Sequence, residues 1–321
     1  MAELVDRVFR PAFDNPLLAT ANDQATFPSP GERLAMTTDS YVVSPLFFPG
    51  GNIGSLAVHG TVNDLAMGGA QPRYLSAAFV LEEGLPLAEL VQIAETMGAA
   101  ARDAGVQVVT GDSKVVERGK GDGVFLNTTG IGVVDPGADI DGSHARPGDR
   151  VILSGPLGDH GVAVMALRQG LAFADALVSD SRPLHRLVAA MLARAPGAVH
   201  ALRDPTRGGL AAALNELARQ SGVGIRLDEA VIPVRDSVRG ACELLGLDPL
   251  HVANEGKLVA IVASAAADDL VAALRALPGG EQATVIGEVV DDPGRLVCMT
   301  TVIGGERVVD WLWGEQLPRI C

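Results

Sequence analysis

The chain ends in a cysteine, Cys321, which closes a six-residue tail at positions 316–321. A thiol in this position adds little to a core and cannot brace a loop. Chain ends usually move unless they are tied down, so a thiol placed there can travel. We therefore expect Cys321 to carry a covalently bound group into an active site.

Three short acidic motifs lie in the first half of the chain. They contain Asp39 in TTDS, Asn63 and Asp64 in VNDL, and Asp112 in GDSK. Each aspartate follows or interrupts an apolar segment, where an unpaired carboxylate is costly to bury. Converging carboxylates suit Mg²⁺, which lets an acidic protein hold a triphosphate. The alternative is that these residues are turn residues and helix caps, as aspartate often is.

Three further polar residues are candidates for chemistry. Lys114 closes the GDSK motif and could steady a transferring phosphoryl group or an anionic intermediate, or it could be a solvated surface lysine. Glu255, in NEGK just before an apolar strand, could be a base or a loop charge. His160 lies between glycines at a predicted helix start, where a lone histidine is more often structural.

The segment RDPTRGGL, which starts at Arg203, reads as the beginning of a helix. Asp204 is predicted to be the N-cap, with Pro205 in the first turn. Free backbone N–H groups at such an end attract anions, although a capped structural helix has the same pattern. The chain contains none of the motifs GxxxxGK[ST], GxGxxG, HExxH or GxSxG, so a bound nucleotide needs a different architecture.

Composition restricts the class of protein. The chain has 321 residues, enough for two domains, and 48% of them are apolar. A net charge of −14 argues against a nucleic-acid partner. No apolar run reaches the roughly 18 residues of a membrane span. The three cysteines are far apart without a CxxC pair, which favours a reducing cytoplasm over a disulfide framework or a zinc site.

Strand-like and helix-like segments alternate along the whole chain, which predicts a two-domain α/β or α+β protein. A loop rich in Gly, Pro and Asp at 135–149 is the best candidate for a domain boundary. We predict strands at 34–44, 73–81, 106–110, 124–134, 151–154, 257–264, 283–290 and 296–301. We predict helices at 53–67, at 87–101 with a stop at Gly105, and at 161–171, 184–195 and 208–220.

Together these strings resemble a known family. The stretches TTDSYVVSPLFFPGG, GTVNDLAMGGA, GDSKVVERGKGDG, SGPLGDHG, RDPTRGGLAAALNE, LGLDPLHVANEGK and the terminal LPRIC are similar to the HypE family of hydrogenase maturation proteins, the carbamoyl dehydratases. The resemblance runs from about Pro11 to Cys321. It implies a PurM-like fold with an N-terminal ATP-binding and dimerisation domain at 1–145, a C-terminal α+β domain at 146–310 and a mobile tail at 311–321.

The resemblance also implies a reaction. HypF would place a carbamoyl group on the terminal sulfur, and ATP with Mg²⁺ would drive its dehydration from thiocarboxamide to thiocyanate. The cyanide would pass to iron held by the HypC–HypD complex, as a ligand of the [NiFe]-hydrogenase centre. The chemistry is reasonable, because an amide oxygen leaves poorly until it is phosphorylated and because a base must remove the amide protons.

Site roles follow from the same resemblance. Cys321 would be the carrier, with Glu255 as the base and Lys114 as its electrostatic partner, although these last two roles could be exchanged. The tail would alternate between an outer state reached by partners and an inner state near ATP. Mg²⁺ would be held by Asp39, Asp64 and Asp112, and ATP by these three together with Asn63, His160, Asp204 and Arg207.

One departure from the family pattern concerns the start of the chain. Family members usually begin with a glycine-rich segment of the kind H-G-x-G-G, whereas Met1 to Leu4 already read as part of the first helix. We expect either a shortened start or weaker ATP binding. Two other functions stay open at this point: a small-molecule ATP-dependent synthetase or kinase, and a non-catalytic scaffold that passes a bound group between partners.

Overall fold

The computed structural model describes residues 5–15, 29, 31, 33–171, 177–311 and 320. Cys321 and residues 312–319 of the predicted tail lie outside this described part of the chain. Within it, no helix is long and apolar enough to cross a bilayer.

The described residues form helices and strands in alternation. The helices are α1 (Arg10–Phe13), α2 (Ile53–Met67), α3 (Leu87–Ala104), α4 (Asp159–Arg168), α5 (His185–Arg194), α6 (Gly209–Ser221), α7 (Asp236–Leu245) and α8 (Ala267–Arg275). The strands are β1 (Leu34–Tyr41), β2 (Phe47–Phe48), β3 (Gly51–Asn52), β4 (Ala70–Glu82), β5 (Gln107–Val116), β6 (Val124–Val134), β7 (Arg150–Leu153), β8 (Val199–Arg203), β9 (Gly224–Asp228), β10 (Val259–Val262), β11 (Thr284–Val290), β12 (Val297–Thr300) and β13 (Glu306–Val308).

The first sheet has the strand order β1–β6–β4–β5, and only β4 and β5 run parallel. Burial alternates along β4 and β6, because successive side chains point to opposite faces of a sheet. Helix α2 packs on one face of the sheet, and α3 packs on α2. The other face is less buried. It carries Leu34, Met36, Thr38 and Ser40 of β1, and we call it the open face of the first sheet.

Helix α2 connects the first sheet to the rest of the molecule. Asn52 caps it, accepting hydrogen bonds from the backbone N–H groups of Gly54 (2.8 Å) and Ser55 (3.3 Å). The helix is buried nearly all round, because it also contacts α5 and β8 of the second half. This placement brings Asn63 and Asp64, which lie in its last turns, to the junction of the two halves.

The second sheet contains seven strands in the order β13–β12–β9–β11–β7–β10–β8. Its neighbours are antiparallel except β9 and β12. Segment 135–149 joins the two sheets and contains neither helix nor strand. The predicted fold of two domains that mix helices and sheets is confirmed, while the predicted domain limits at 145 and 310 stay predictions.

Most predicted elements are present, with shifted ends. The helix at 53–67 and the strand at 124–134 have the predicted bounds. The predicted strand at 106–110 continues to Val116, so that Asp112 and Lys114 lie within β5. Strands β2, β3, β8, β9 and β13 and helices α7 and α8 are not predicted. In β9 an outward-facing Arg226 interrupts the apolar run, which hides the strand from a search for apolar segments.

The predicted N-cap at Asp204 is wrong. Strand β8 ends at Arg203, and the helix begins only at Gly209, with Gly208 as the N-cap in a left-handed conformation (φ 74°). Gly209 also has a positive φ, and a Cβ there would lie 2.6 Å from the carbonyl oxygen of Leu250. Two successive glycines allow this tight entry, so Asp204 lies in the loop before the helix.

Candidate active site

Carboxylates from both halves of the molecule come together at their junction. Asp39 lies on β1, Asp64 on α2, Asp204 just after β8 and Glu255 just before β10. Burial raises the pKa of Asp204 to about 7, and the nearby negative charges of Asp64 and Asp39 add to the effect. A cluster of this kind holds protons at neutral pH, or it attracts cations.

Glu255 is the most deeply placed of these groups. Only 2% of it is exposed, and its Oε1 atom has no hydrogen-bond partner among the described residues. Burial raises its pKa well above the ordinary value, and the charges of Asp204 and Asp180 raise it further. A buried carboxyl group with one oxygen unengaged is chemically suited to take a proton from a bound group.

Asp180 holds the backbone at Glu255. Its carboxylate accepts hydrogen bonds from the backbone N–H groups of Glu255 (3.2 Å) and Gly256 (3.1 Å) and from Lys257 Nζ (2.8 Å). Burial opposes the charged form of Asp180, but Lys257 outweighs it and the pKa of Asp180 falls below its usual value. A Cβ on Gly256 would overlap the Asp180 carbonyl oxygen, so glycine is required there.

Asn63 joins the two halves through its side-chain amide. Its Oδ1 accepts from the backbone N–H of Leu184 (2.8 Å), and its Nδ2 donates to the carbonyl oxygens of Arg182 (3.1 Å) and Glu255 (3.2 Å). We predicted Asn63 to bind ATP. The structure gives its amide a different task, because both of its hydrogens are bonded to backbone of the second half.

Asp39 and Asp64 lie near enough for the charge of one to act on the other. Thr37 Oγ1 donates to Asp64 Oδ2 (2.8 Å), and Asp39 Oδ1 accepts from the N–H of Ser40 (2.8 Å). Burial raises the pKa of Asp64; the charge of Asp39 also raises it, while Thr37, Arg203 and Arg207 lower it. Arg207 is exposed at this position and can compensate added negative charge.

Asp112 and Lys114 lie on β5, apart from the carboxylates at the junction. Lys114 Nζ is 2.9 Å from an Asp112 carboxylate oxygen, and both side chains are largely exposed. Asp112 is in register with Ala78 and, across the sheet, with Asn127 and Ser40, whereas Asp39 is in register with Thr128. Asp112 and Asp39 therefore project from opposite faces of the first sheet.

The predicted magnesium ligands are therefore not assembled as a set of three in one chain. Within the described residues no group of three His, Cys, Asp or Glu is arranged to hold a metal ion. Mg²⁺ usually needs only one or two carboxylates, with water and phosphate oxygens completing its shell. The pair Asp39 and Asp64 fits that requirement. The predicted pairing of Lys114 with Glu255 also does not occur in one chain, because Lys114 contacts Asp112.

His160 lies at the start of α4 and is fully buried. Its Nε2 is 2.9 Å from the carbonyl oxygen of Ile320, and its Nδ1 is 2.8 Å from Ser179 Oγ. The ring of Phe48 meets the imidazole edge to face, with 5.3 Å between ring centroids. We predicted His160 to bind ATP, but these contacts connect it to the C-terminal segment instead.

Sequence reasoning did not find Asp180, Lys257 or Ser179. Lys257 belongs to the motif NEGK, in which only Glu255 was predicted to have a role in the site. Asp180 and Ser179 lie in a stretch without periodicity, about 75 residues before the backbone that Asp180 holds. No local pattern marks a contact over such a distance.

Comparison with known proteins identifies the class and then the family. Residues 21–134 match the family model "AIR synthase related protein, N-terminal domain", and residues 146–298 match "AIR synthase related protein, C-terminal domain". Over its whole length the chain is 62% identical to "Carbamoyl dehydratase HypE" of Azotobacter vinelandii, covering 94% of that protein. The chain belongs to the HypE family of carbamoyl dehydratases.

Solved structures agree with this assignment. A structure described as "Hydrogenase Maturation Protein HypE in complex with ATP" has a TM-score of 0.95 and 51% sequence identity, with 100% of this chain and 96% of that chain covered. A "HypE-HypF complex" has a TM-score of 0.85 and 46% identity, with coverage of 96% and 99%.

Proposed function

We propose that the chain is an ATP-dependent dehydratase that converts a carbamoyl group on Cys321 from thiocarboxamide to thiocyanate, as a step in [NiFe]-hydrogenase maturation. The observation that carries the proposal is the Glu255 carboxyl. It is buried, has a raised pKa and leaves one oxygen without a partner in the described part of the chain. The family relationship supplies the reaction in which such a base has a task.

The reaction balances as follows. The thiocarboxamide R–S–C(=O)–NH₂ and ATP give R–S–C≡N, ADP and phosphate, with loss of the two amide protons. Phosphorylation turns the amide oxygen into a good leaving group, and Glu255 takes a proton from the nitrogen as the C–O bond breaks. Burial raises the pKa of Glu255, so the carboxyl group must lose its own proton before it can accept one from the amide nitrogen. Activity should therefore rise with pH through the raised pKa of Glu255.

Asp39 and Asp64 are the residues that would hold Mg²⁺, which would neutralise the charge of the transferring phosphoryl group. A relative 51% identical to this chain crystallised with ATP, which supports nucleotide binding by this chain, and we place the nucleotide at the junction because its carboxylates lie there. Arg207 could contact phosphates from its exposed position, and the partly protonated Asp204 could share a cation. Asp112 and Lys114 stay candidates for roles toward ATP or the thiocarboxamide.

A homodimer could bring these last two residues to a site. Leu34 and Met36 on β1 are 52% and 72% exposed, and Met36 belongs to the open face of the first sheet. Covering that face with a second copy would bury apolar surface and would surround Asp112 and Lys114 with new neighbours. We propose this dimer as the working form of the enzyme.

HypF and the HypC–HypD complex are the proposed partners. The relative solved as a HypE–HypF complex supports HypF as the protein that loads Cys321. We propose the HypC–HypD complex as the acceptor of the cyanide. A carrier thiol must stay reduced, so we place this work in the cytoplasm.

Mass spectrometry of the C-terminal peptide tests the proposal. The protein would be incubated with HypF, carbamoyl phosphate and ATP, with and without magnesium. We expect a carbamoyl adduct on Cys321 that loses one water only when ATP and magnesium are both present. A Glu255→Gln variant should carry the adduct and keep its water. No adduct on Cys321 would contradict the proposal.

A Cys321→Ala variant separates this function from that of a small-molecule kinase or synthetase. The variant should retain slow ATP hydrolysis while it loses all dehydration, because the carrier is gone but the nucleotide site is intact. Unchanged turnover of a small-molecule substrate by the variant would favour the kinase or synthetase.

A further inference from the structure

The contacts of His160 determine its protonation. The Ile320 carbonyl can only accept a hydrogen bond, so Nε2 must carry the hydrogen that is donated across the 2.9 Å contact. Burial lowers the pKa of His160, which favours the neutral ring. In a neutral ring Nδ1 is then an acceptor, and the Ser179 hydroxyl donates to it.

Ser179 is itself fixed in place. Its Oγ accepts a hydrogen bond from the N–H of Ser181 (3.1 Å), and its own N–H donates to the carbonyl oxygen of Pro49 (2.9 Å). Together with the edge-to-face contact of Phe48, these bonds hold the imidazole in one tautomer and one orientation. The Nε2–H donor of His160 is therefore already oriented before the Ile320 carbonyl binds to it.

The acceptor belongs to the end of the chain. Ile320 is 2% exposed and belongs to the apolar cluster that includes Phe48, Val164 and Ala253. Its carbonyl is part of the peptide group that precedes residue 321. The single hydrogen bond from His160 therefore acts one covalent step from the carrier residue.

The start of α4, which carries His160, is hydrogen-bonded to the segment that leads to the candidate base. The N–H of Gly161, the next residue along α4, donates to the carbonyl oxygen of Ala253 (3.0 Å), two residues before Glu255. The charge of Asp180, which holds the Glu255 backbone, also acts on His160. A chain end docked on His160 is therefore held beside the segment that presents Glu255.

We propose that His160 is a positioning residue that docks the C-terminal end by donating Nε2–H to the Ile320 carbonyl, with Ser179 fixing its tautomer. The docked state holds Ile320, the residue before the carrier, beside the segment that leads to Glu255. The recognised group is backbone, so docking does not depend on what the sulfur carries, and loaded and unloaded chain ends bind alike. This inference rests on the proposed function for its role in dehydration.

A matched pair of substitutions tests the hydrogen bond. Glutamine places its amide nitrogen three bonds from Cβ, as histidine places Nε2, whereas asparagine places its nitrogen two bonds away, as histidine places Nδ1. His160→Gln keeps the donor toward Ile320, and His160→Asn removes it. The first readout is the rate of iodoacetamide alkylation at each cysteine of the full chain, resolved by peptide mass spectrometry. Cys242, which is 2% exposed in α7, serves as the internal measure of folding.

Without the donor, we expect Cys321 in His160→Asn to alkylate roughly tenfold faster than in the wild type, the effect of losing one buried hydrogen bond. Cys242 should not change, and His160→Gln should resemble the wild type. In the second readout, with HypF, carbamoyl phosphate, ATP and magnesium, His160→Asn should load normally but lose water more slowly. Equal alkylation of Cys321 in the wild type and His160→Asn, or equal effects of both substitutions, would overturn the proposal.

Ser179→Ala keeps the proposal testable if His160→Asn does not fold, as faster alkylation of Cys242 would reveal. This substitution removes the hydroxyl that fixes the tautomer of His160 and leaves the imidazole in place. Cys321 should again be alkylated faster than in the wild type. A wild-type rate in Ser179→Ala would overturn the proposal in that case. Alkylation requires neither ATP nor HypF. If the wild type loads Cys321 but never loses water, the proposed function fails, while the alkylation comparison still decides the docking.

Discussion

The Glu255 carboxyl is buried, and its Oε1 has no partner among the described residues, so the fold must keep it protonated or bear the cost of a buried charge. Its pKa is higher in the folded than in the unfolded chain, so the folded protein binds this proton more tightly. The resulting stabilisation is present below the unfolded pKa and is lost as pH rises through the folded pKa. At neutral pH the residue needed for chemistry therefore weakens the fold.

Glu255→Gln should relieve this conflict. We expect the variant to unfold at a higher temperature than the wild type near pH 8, and the difference should shrink toward pH 5 because the wild-type carboxyl is then protonated in the native state. Dehydration should fall by about 100- to 10,000-fold, the usual contribution of a general base. Thermal unfolding followed by circular dichroism across this pH range measures the first effect. A difference in unfolding temperature that does not vary with pH would contradict the argument.

Asp180 should set the pH at which Glu255 becomes a base. Asp180→Asn removes a negative charge near Glu255 and takes from Lys257 the nearer of its two carboxylates, and both changes should lower the pKa of Glu255. The acid limb of the dehydration rate against pH should therefore move to lower pH. Asp159→Asn is the matched control, because Asp159 also lies near Lys257 (3.9 Å) but has no hydrogen bond to the Glu255 backbone. A similar displacement of the limb in both variants would refute this role for Asp180.

At the scale of elements, helix α2 carries Asn63 and Asp64, and the amino-acid sequence predicted both ends of this helix. Its bounds follow from Asn52 before its first residue, from apolar residues spread along its length and from the glycines after Met67. The sequence pattern did not predict which elements surround the helix. The helix is buried on nearly all sides, so Asn63 and Asp64, which read as turn or cap residues or as part of a metal site, lie at the junction with the second half of the molecule.

The N-cap of α2 should matter measurably for stability. Asn52→Ala removes the acceptor for two backbone N–H groups, which should destabilise the protein by about 1 kcal/mol. Asn52→Ser keeps a good N-cap and should recover most of that loss. Urea unfolding of the three proteins compares them directly. Equal midpoints for the alanine and serine variants would show that capping is not the reason for the loss.

The site was predictable where its residues lie in local motifs and not where they depend on distant contacts. Asp39, Asp64 and Glu255 were found from short motifs, and the structure brings them to one junction. The motif GDSK was predicted to supply a magnesium ligand, but β5 continues through it and carries Asp112 to the opposite face of the first sheet from Asp39. Asp180 acts on a segment far along the chain, and such long-range contacts follow from topology rather than from spacing.

At the scale of the whole molecule, the open face of the first sheet should form the dimer contact. Met36→Glu places a charge on that face and should convert the dimer to a monomer in light scattering coupled to size exclusion. Ile303→Glu is the control, because Ile303 is 91% exposed in a turn near the end of the second sheet. If the Met36 variant stays dimeric, or if the Ile303 variant dissociates equally, the open face is not the contact.

The amide of Asn63 has a consequence for how freely this molecule can diverge in evolution. It fixes the junction by bonding to the main chain at Arg182, Leu184 and Glu255, never to their side chains. Substitutions at Arg182 and Leu184 that keep the backbone in place therefore leave these hydrogen bonds intact. A second half grafted from a related enzyme would have to keep the course of its backbone past Asn63, and also the side-chain contacts elsewhere along the junction, such as that of Ser181 with His59.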